Sequence, residues 1–138
     1  MKKSILEKYA QLIVDYCLYL KAGETFFIRT TTAAEPLVRE IYRAALEAGV
    51  KDTQVFFDFE DKTRLLYTLG NEEQLGYTNP FTKLAFSEYD AFLYIKADTN
   101  LMSDQNIDPE KRKQAQAANR EIGKLYSERT ANGDMKRS

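Results

Sequence analysis

An α/β domain of three layers, with a mainly parallel sheet flanked by helices, is the fold this sequence predicts. Three observations predict it. Short aromatic and β-branched runs recur at residues 25–30, 53–59 and 91–97. Segments with apolar residues at helical spacing separate them. The first strand, the helix after it and the second strand are tightly connected, an order that defaults to parallel pairing through a right-handed crossover. The chain has 138 residues, 43% hydrophobic and 30% charged, which suits one domain, 1–138, with a real core. That composition excludes disordered, collagen-like and low-complexity classes.

The first helix is expected over about 4–21. Ser4 and Glu7 have the spacing of a capping box, in which each side chain satisfies a backbone donor of the other. Leu6, Ile13 and Leu20, and also Ile5, Leu12, Tyr16 and Tyr19, recur at helical intervals. Gly23 stands where a left-handed helix end is wanted. Residues 25–30 then read as a strand largely buried on both faces. Thr32 and Glu35 form a second candidate capping box, with Pro36 in the first turn. The helix that follows is the cleanest in the chain. Leu37, Val38, Ile41, Tyr42, Ala45 and Leu46 form its apolar stripe, and Gly49 closes it.

The second strand, 53–59, completes the strand–helix–strand unit. Less regular helices are expected over about 61–69 and 79–87, punctuated by Gly70, Gly76 and Pro80. Residues 91–97 form the third strand, broken by Asp98, Thr99 and Asn100. Asp108 and Pro109 carry the N-cap and first-position signals of a last helix, running to about Arg129 with Gly123 weakening its middle. Asn132, Gly133 and Asp134 signal a turn. A turn leads into another element, so the end at Ser138 reads as a cut end, a natural terminus being the alternative. Three strands make a narrow sheet. A fourth is expected in the weak middle or beyond Ser138.

The scarcities exclude whole classes of chemistry. Histidine is absent and there is one cysteine, Cys17. A Ser-His-Asp triad, a Cys-His pair and an imidazole-bound zinc cannot be built from this chain. An intrachain disulfide is excluded, and Cys17 reads as a small buried hydrophobe. Net charge is −1, so no general field for nucleic acid or an anionic membrane is expected. No apolar run reaches the length of a membrane helix, and Glu7, Lys8 and Asp15 interrupt any signal-peptide core. A reducing cytoplasm is the expected compartment.

Four places are candidate sites, each with a plainer reading. Thr30, Thr31 and Thr32 join a strand's carboxyl end to a helix start, where open α/β sheets bind ligands. The loop lacks a phosphate-binding glycine pattern, and Glu35 would repel an anion, so helix capping is preferred. Asp58, Glu60 and Asp61 cluster at the second strand's carboxyl end and could hold a hard divalent ion or a ribose hydroxyl. A solvated turn, partly neutralised by Lys62 and Arg64, is preferred there. Lys111, Arg112 and Lys113 lie in a tail of charge +3, against −4 for the rest of the chain. An acidic partner is the functional reading and a solvated helix face the default. Tyr67, Tyr77, Phe81, Phe86 and Tyr89 could line a pocket or an interface, although such residues are more often packing. No nucleophile, base and oxyanion hole assemble. The residues by themselves therefore mark no catalytic, cofactor-binding or metal position.

One resemblance adds to this reading. The run Leu6-Glu7-Lys8-Tyr9-Ala10-Gln11-Leu12-Ile13-Val14, then Leu20-Lys21-Ala22-Gly23-Glu24, Phe26-Phe27-Ile28-Arg29, Ala34-Glu35-Pro36-Leu37-Val38-Arg39 and Glu47-Ala48-Gly49, resembles the opening of the thermophilic metallo-aminopeptidase family. The stretch Gln105-Asn106-Ile107-Asp108-Pro109-Glu110-Lys111 fits the same family. The resemblance implies an amino-terminal α/β domain of a protein about three times as long. The carboxyl-terminal domain of such a protein would hold two divalent metal ions of zinc or cobalt type, on carboxylates and histidines, and remove amino-terminal residues from peptides. In such centres a metal lowers the pKa of a bridging water and both ions polarise the scissile carbonyl. No residue here inherits a ligand role. The resemblance implies peptide substrates for the whole protein, a scaffold and chamber-wall role for this domain, and no activity of the domain alone. A homodimer is left open. The rival reading is a stand-alone nucleotide or small-molecule binding module using Thr31 and Asp58. A third is an interaction domain working through the aromatic middle.

Overall fold

A computed structural model describes residues 4–96 and 109–137. Four parallel strands form one sheet in the order β2-β1-β3-β4, with β1 Thr25–Thr31, β2 Asp52–Asp58, β3 Ala91–Tyr94 and β4 Lys136–Arg137. The helices are α1 Ile5–Leu12, α2 Glu35–Glu47, α3 Lys62–Leu69, α4 Glu72–Leu75, α5 Pro80–Glu88, α6 Pro109–Ala118 and α7 Arg120–Ala131. None among the described residues is long and apolar enough to cross a membrane.

Strand alternation builds the layers. Phe26 and Ile28 of β1 point to one side and join Leu93, Val38, Ile41, Ala45 and the buried face of α1. Phe27 points to the other side, where Phe86, Phe92, Ile122 and Met135 enclose it. The sheet is thus covered by α1 and α2 on one face and by α5 and α7 on the other. Phe27 is 1% exposed and its ring touches those of Phe56, Phe86, Tyr89 and Phe92 at centroid separations of 4.6–5.9 Å. Asp90 sets the amino ends of three strands in line. Its carboxylate accepts from Thr25 N at 2.9 Å, and its carbonyl accepts from Lys136 N at 2.8 Å.

The structure departs from the expected elements at instructive places. The first helix stops being α-helical at Leu12, widens into a π turn over Ile13–Cys17, and ends before Tyr19, which takes a left-handed φ of 49°. Lys136 Nζ donates to the Tyr19 carbonyl at 2.5 Å and to Glu24 Oε1 at 2.8 Å, tying β4 to that turn. Cys17 is exposed, not buried, because the wider turn rotates it away from the core. Ser4 Oγ does cap the first helix, accepting from Glu7 N at 3.1 Å. The second expected capping box does not form. Thr32–Ala34 is a 3₁₀ turn, Ala34 occupies the cap position, and Glu35 pairs with Arg39 at 2.7 Å instead.

The α2 stripe is rotated from the expected one. Val38, Ile41 and Ala45 are buried, while Tyr42 and Leu46 are exposed. The last helix breaks at Asn119, and Gly123 lies inside α7 rather than at the break. The fourth strand comes after the Asn132–Asp134 turn, before Ser138, and pairs parallel with β3. The expected strand end at Ala97, the break at Asp98–Asn100, and the Asp108 cap lie outside the described residues.

Candidate functional site

The strand order places β1 between β2 and β3. The chain therefore leaves β1 toward one side and returns on the other, which opens a crevice at the carboxyl ends where the connections diverge. A cavity of about 170 Å³ occupies that position. Thr30 and Thr31 of β1, Asp58 through Arg64 after β2, and Tyr94 through Lys96 after β3 line it. Thr31 pairs with Asp58 across the parallel ladder. Parallel pairing thus brings together the threonine loop and the acidic cluster, which are remote in sequence.

Electrostatics argue against a cation in this crevice. Asp58 lies between two cations, with Lys62 Nζ at 2.9 Å and Arg29 Nε at 3.5 Å. Asp61 has a left-handed φ of 68°. Its Oδ1 is buried and accepts no hydrogen bond, but Arg64 Nε lies 3.5 Å away. Thr30 is 2% exposed and its hydroxyl donates to the Ile95 carbonyl at 2.8 Å, so that hydroxyl is already committed. A metal would have to displace Arg29 and Lys62 from Asp58. No group of three or more His, Cys, Asp or Glu suited to a metal ion occurs among the described residues. The side chains present do not fit a two-metal centre.

The other candidates disperse. Lys111 donates from Nζ to the Thr68 carbonyl at 3.0 Å, so it ties α6 to α3 rather than standing free. The aromatic set splits, since Phe86 is buried and Tyr89 half-buried beneath the sheet while Tyr77 and Phe81 are exposed. Tyr89 donates to Asp52 Oδ2 at 2.5 Å. That bond, with burial and the Asp52 charge, pushes the Tyr89 hydroxyl pKa up to about 12. Sequence reasoning missed Arg29, Tyr94 and Lys96 in the crevice. The available signal was the charge of Arg29 inside a strand read as largely buried on both faces.

Comparison with known proteins adds the family. The family model described as thermophilic metalloprotease (M29) matches residues 2–137. The chain belongs to that family. Among the family's relatives, aminopeptidase 2 of Geobacillus stearothermophilus is 39% identical over 57 residues, which is 41% of this chain and 13% of that protein. The structure of wild-type AmpT from Thermus thermophilus superposes over 96% of this chain with a TM-score of 0.78 at 24% identity, a likeness of fold. The chain spans 34% of the AmpT chain.

Proposed function

We infer that this chain is the amino-terminal domain of a metal-dependent aminopeptidase acting on peptides. The observation that carries the reading is the M29 match over residues 2–137 in a chain spanning 34% of the length of AmpT. The domain serves as scaffold and as one wall of the substrate chamber. The two divalent ions, of zinc or cobalt type, belong to a further domain. Two properties of this chain support that division. It has no histidine, and the crevice carboxylates Asp58 and Asp61 are matched by arginine and lysine. The whole protein works in the cytoplasm, and its substrates are peptides with a free amino terminus.

The test is an assay of the purified 138-residue chain on aminoacyl anilides with cobalt or zinc added. No hydrolysis is expected. Turnover that a chelator abolishes and either metal restores would overturn the reading.

The crevice itself favours a second reading, a module that binds nucleotides or small molecules at Thr31 and Asp58. Its position at the strand carboxyl ends is the supporting observation. Calorimetric titration with nucleotides and divalent ions separates the two. Tight binding that disappears in a folded Asp58→Asn variant would favour the module.

A further inference from the structure

The crevice at the strand carboxyl ends carries both signs of charge, set apart by the strand order. Arg29 of β1 and Lys96 after β3 bring positive charge from one side. On the β2 side Asp58, Glu60 and Asp61 outnumber Lys62 and Arg64, so that side is negative. Each side keeps hydrogen-bonding capacity in reserve. Asp61 Oδ1 is buried and accepts no hydrogen bond, since Arg64 Nε at 3.5 Å is beyond good hydrogen-bond distance. A buried carboxylate oxygen without a donor is costly, so a water or a ligand group completes it. Across the crevice, Arg29 approaches Asp58 with Nε at 3.5 Å and its side chain donates no hydrogen bond among the described residues. Asp58 already accepts from Lys62 Nζ at 2.9 Å, so the Arg29 fork is open to another carboxylate. Phe59 and Tyr94, each 55% exposed, add ring surface to the same walls.

We propose that the crevice binds a free α-amino acid with an apolar side chain. Its ammonium donates to Asp61, its carboxylate accepts from Arg29 with Lys96 adding positive charge, and its side chain lies against Phe59 and Tyr94. The cavity of about 170 Å³ lies below the ~300 Å³ at which sites for drug-sized ligands begin, which selects a small occupant. A nucleotide is larger, and its phosphates would meet Glu60 and Asp61. The proposal rests on the reading of this crevice as a small-molecule site, names the ligand class, and requires no peptidase activity. In a protein that removes amino-terminal residues from peptides, the ligand is of the class that the reaction releases.

Amide chemical shifts of the isotopically labelled 138-residue chain, titrated with L-leucine, test this. Saturable shifts at Thr31 and Asp61 are expected. Leucinamide, which lacks the carboxylate, and isocaproate, which lacks the ammonium, should each bind about tenfold more weakly or worse, for want of one charge-assisted contact. Asp61→Asn should weaken leucine by about the same factor and leave isocaproate unaffected. Asparagine tolerates the left-handed backbone at this position, so the variant keeps the turn. Arg29→Gln should weaken leucine and leave leucinamide unaffected. The analogue comparison on the unaltered chain decides the matter if either variant unfolds. Absence of a saturable shift with leucine overturns the proposal. If a nucleotide then saturates the same amides, the small-molecule reading stands without it, and if neither binds, that reading falls as well. Leucinamide or isocaproate binding as tightly as leucine overturns the assignment of the two charged ends, and so does a folded Asp61→Asn or Arg29→Gln variant that binds leucine unchanged.

Discussion

The Tyr89 hydroxyl donates to Asp52 Oδ2 at 2.5 Å, across 37 residues of chain. It joins the segment before β3 to the first residue of β2, although β1 separates those strands in the sheet. Stability should depend on this bond in alkaline solution. Unfolded tyrosine loses its proton near pH 10.0, and folded Tyr89 does so near 12. Between those values the unfolded chain holds fewer protons, so raising pH favours unfolding. The contribution is complete below pH 10.0 and is lost as pH rises through about 12. Urea unfolding at a series of pH values should show that loss, and Tyr89→Phe should remove this part of the slope at a cost of about 1 kcal/mol at neutral pH.

Arg129 clamps the far side of the sheet. Its guanidinium donates to the Phe86 carbonyl at 2.8 Å and the Tyr89 carbonyl at 2.7 Å, and more weakly to the Asp134 carbonyl at 3.3 Å. Arg129→Met keeps the apolar stem and strands those acceptors. A loss of about 2 kcal/mol is expected, since hydrogen bonds from a charged donor exceed neutral ones. Equilibrium denaturation measures it. Arg129→Lys should recover only part, because one ammonium does not reproduce the planar fork.

Phe27 is the residue around which the lower layer is built. Phe27→Ala should cost about 3–5 kcal/mol, because it removes four ring contacts and leaves a cavity between sheet and helices. A loss below about 1 kcal/mol in thermal or urea unfolding would mean that the helical layer collapses into the space.

Two glycines should respond with opposite sign. Gly49 has φ +85°, and a Cβ there would lie 2.9 Å from the Ala22 Cβ. Gly49→Ala should therefore destabilise by about 1 kcal/mol or more. Gly123 lies inside α7, where an added Cβ meets nothing within 4 Å. Gly123→Ala should stabilise by about 0.5–1 kcal/mol through helix propensity. Melting temperatures of the two variants give the comparison.

The three principal strands are legible because each is a short run rich in β-branched and aromatic residues bounded by turn residues, whether nearly buried throughout like β1 or lying half-exposed like β2. The helices over 62–69 and 80–88 also fall within a residue of expectation. The acidic turn and the threonine loop are readable as separate places. Their meeting is not, because nothing local says that residue 31 will stand opposite residue 58.

Sequence alone settled what this chain is made of: an alternating α/β order, a residue content that is 43% hydrophobic, and no histidine for triad or imidazole–metal chemistry. Those properties are local or compositional. Tertiary structure decided which apolar face of the first helical segment, α1 and the π turn after it, enters the core, because Ile5, Tyr9 and Leu12 recur at helical spacing as Ala10, Ile13 and Val14 do. Periodicity reports that a face is apolar but not what lies against it. The two-residue strand Lys136–Arg137 likewise exists only because β3 presents an open edge to it. Lys62 reaches Asp58 from four residues away, but Arg29 comes to Asp58 only once the ladder is formed, since pairing between distant segments depends on geometry that no stretch of sequence contains by itself.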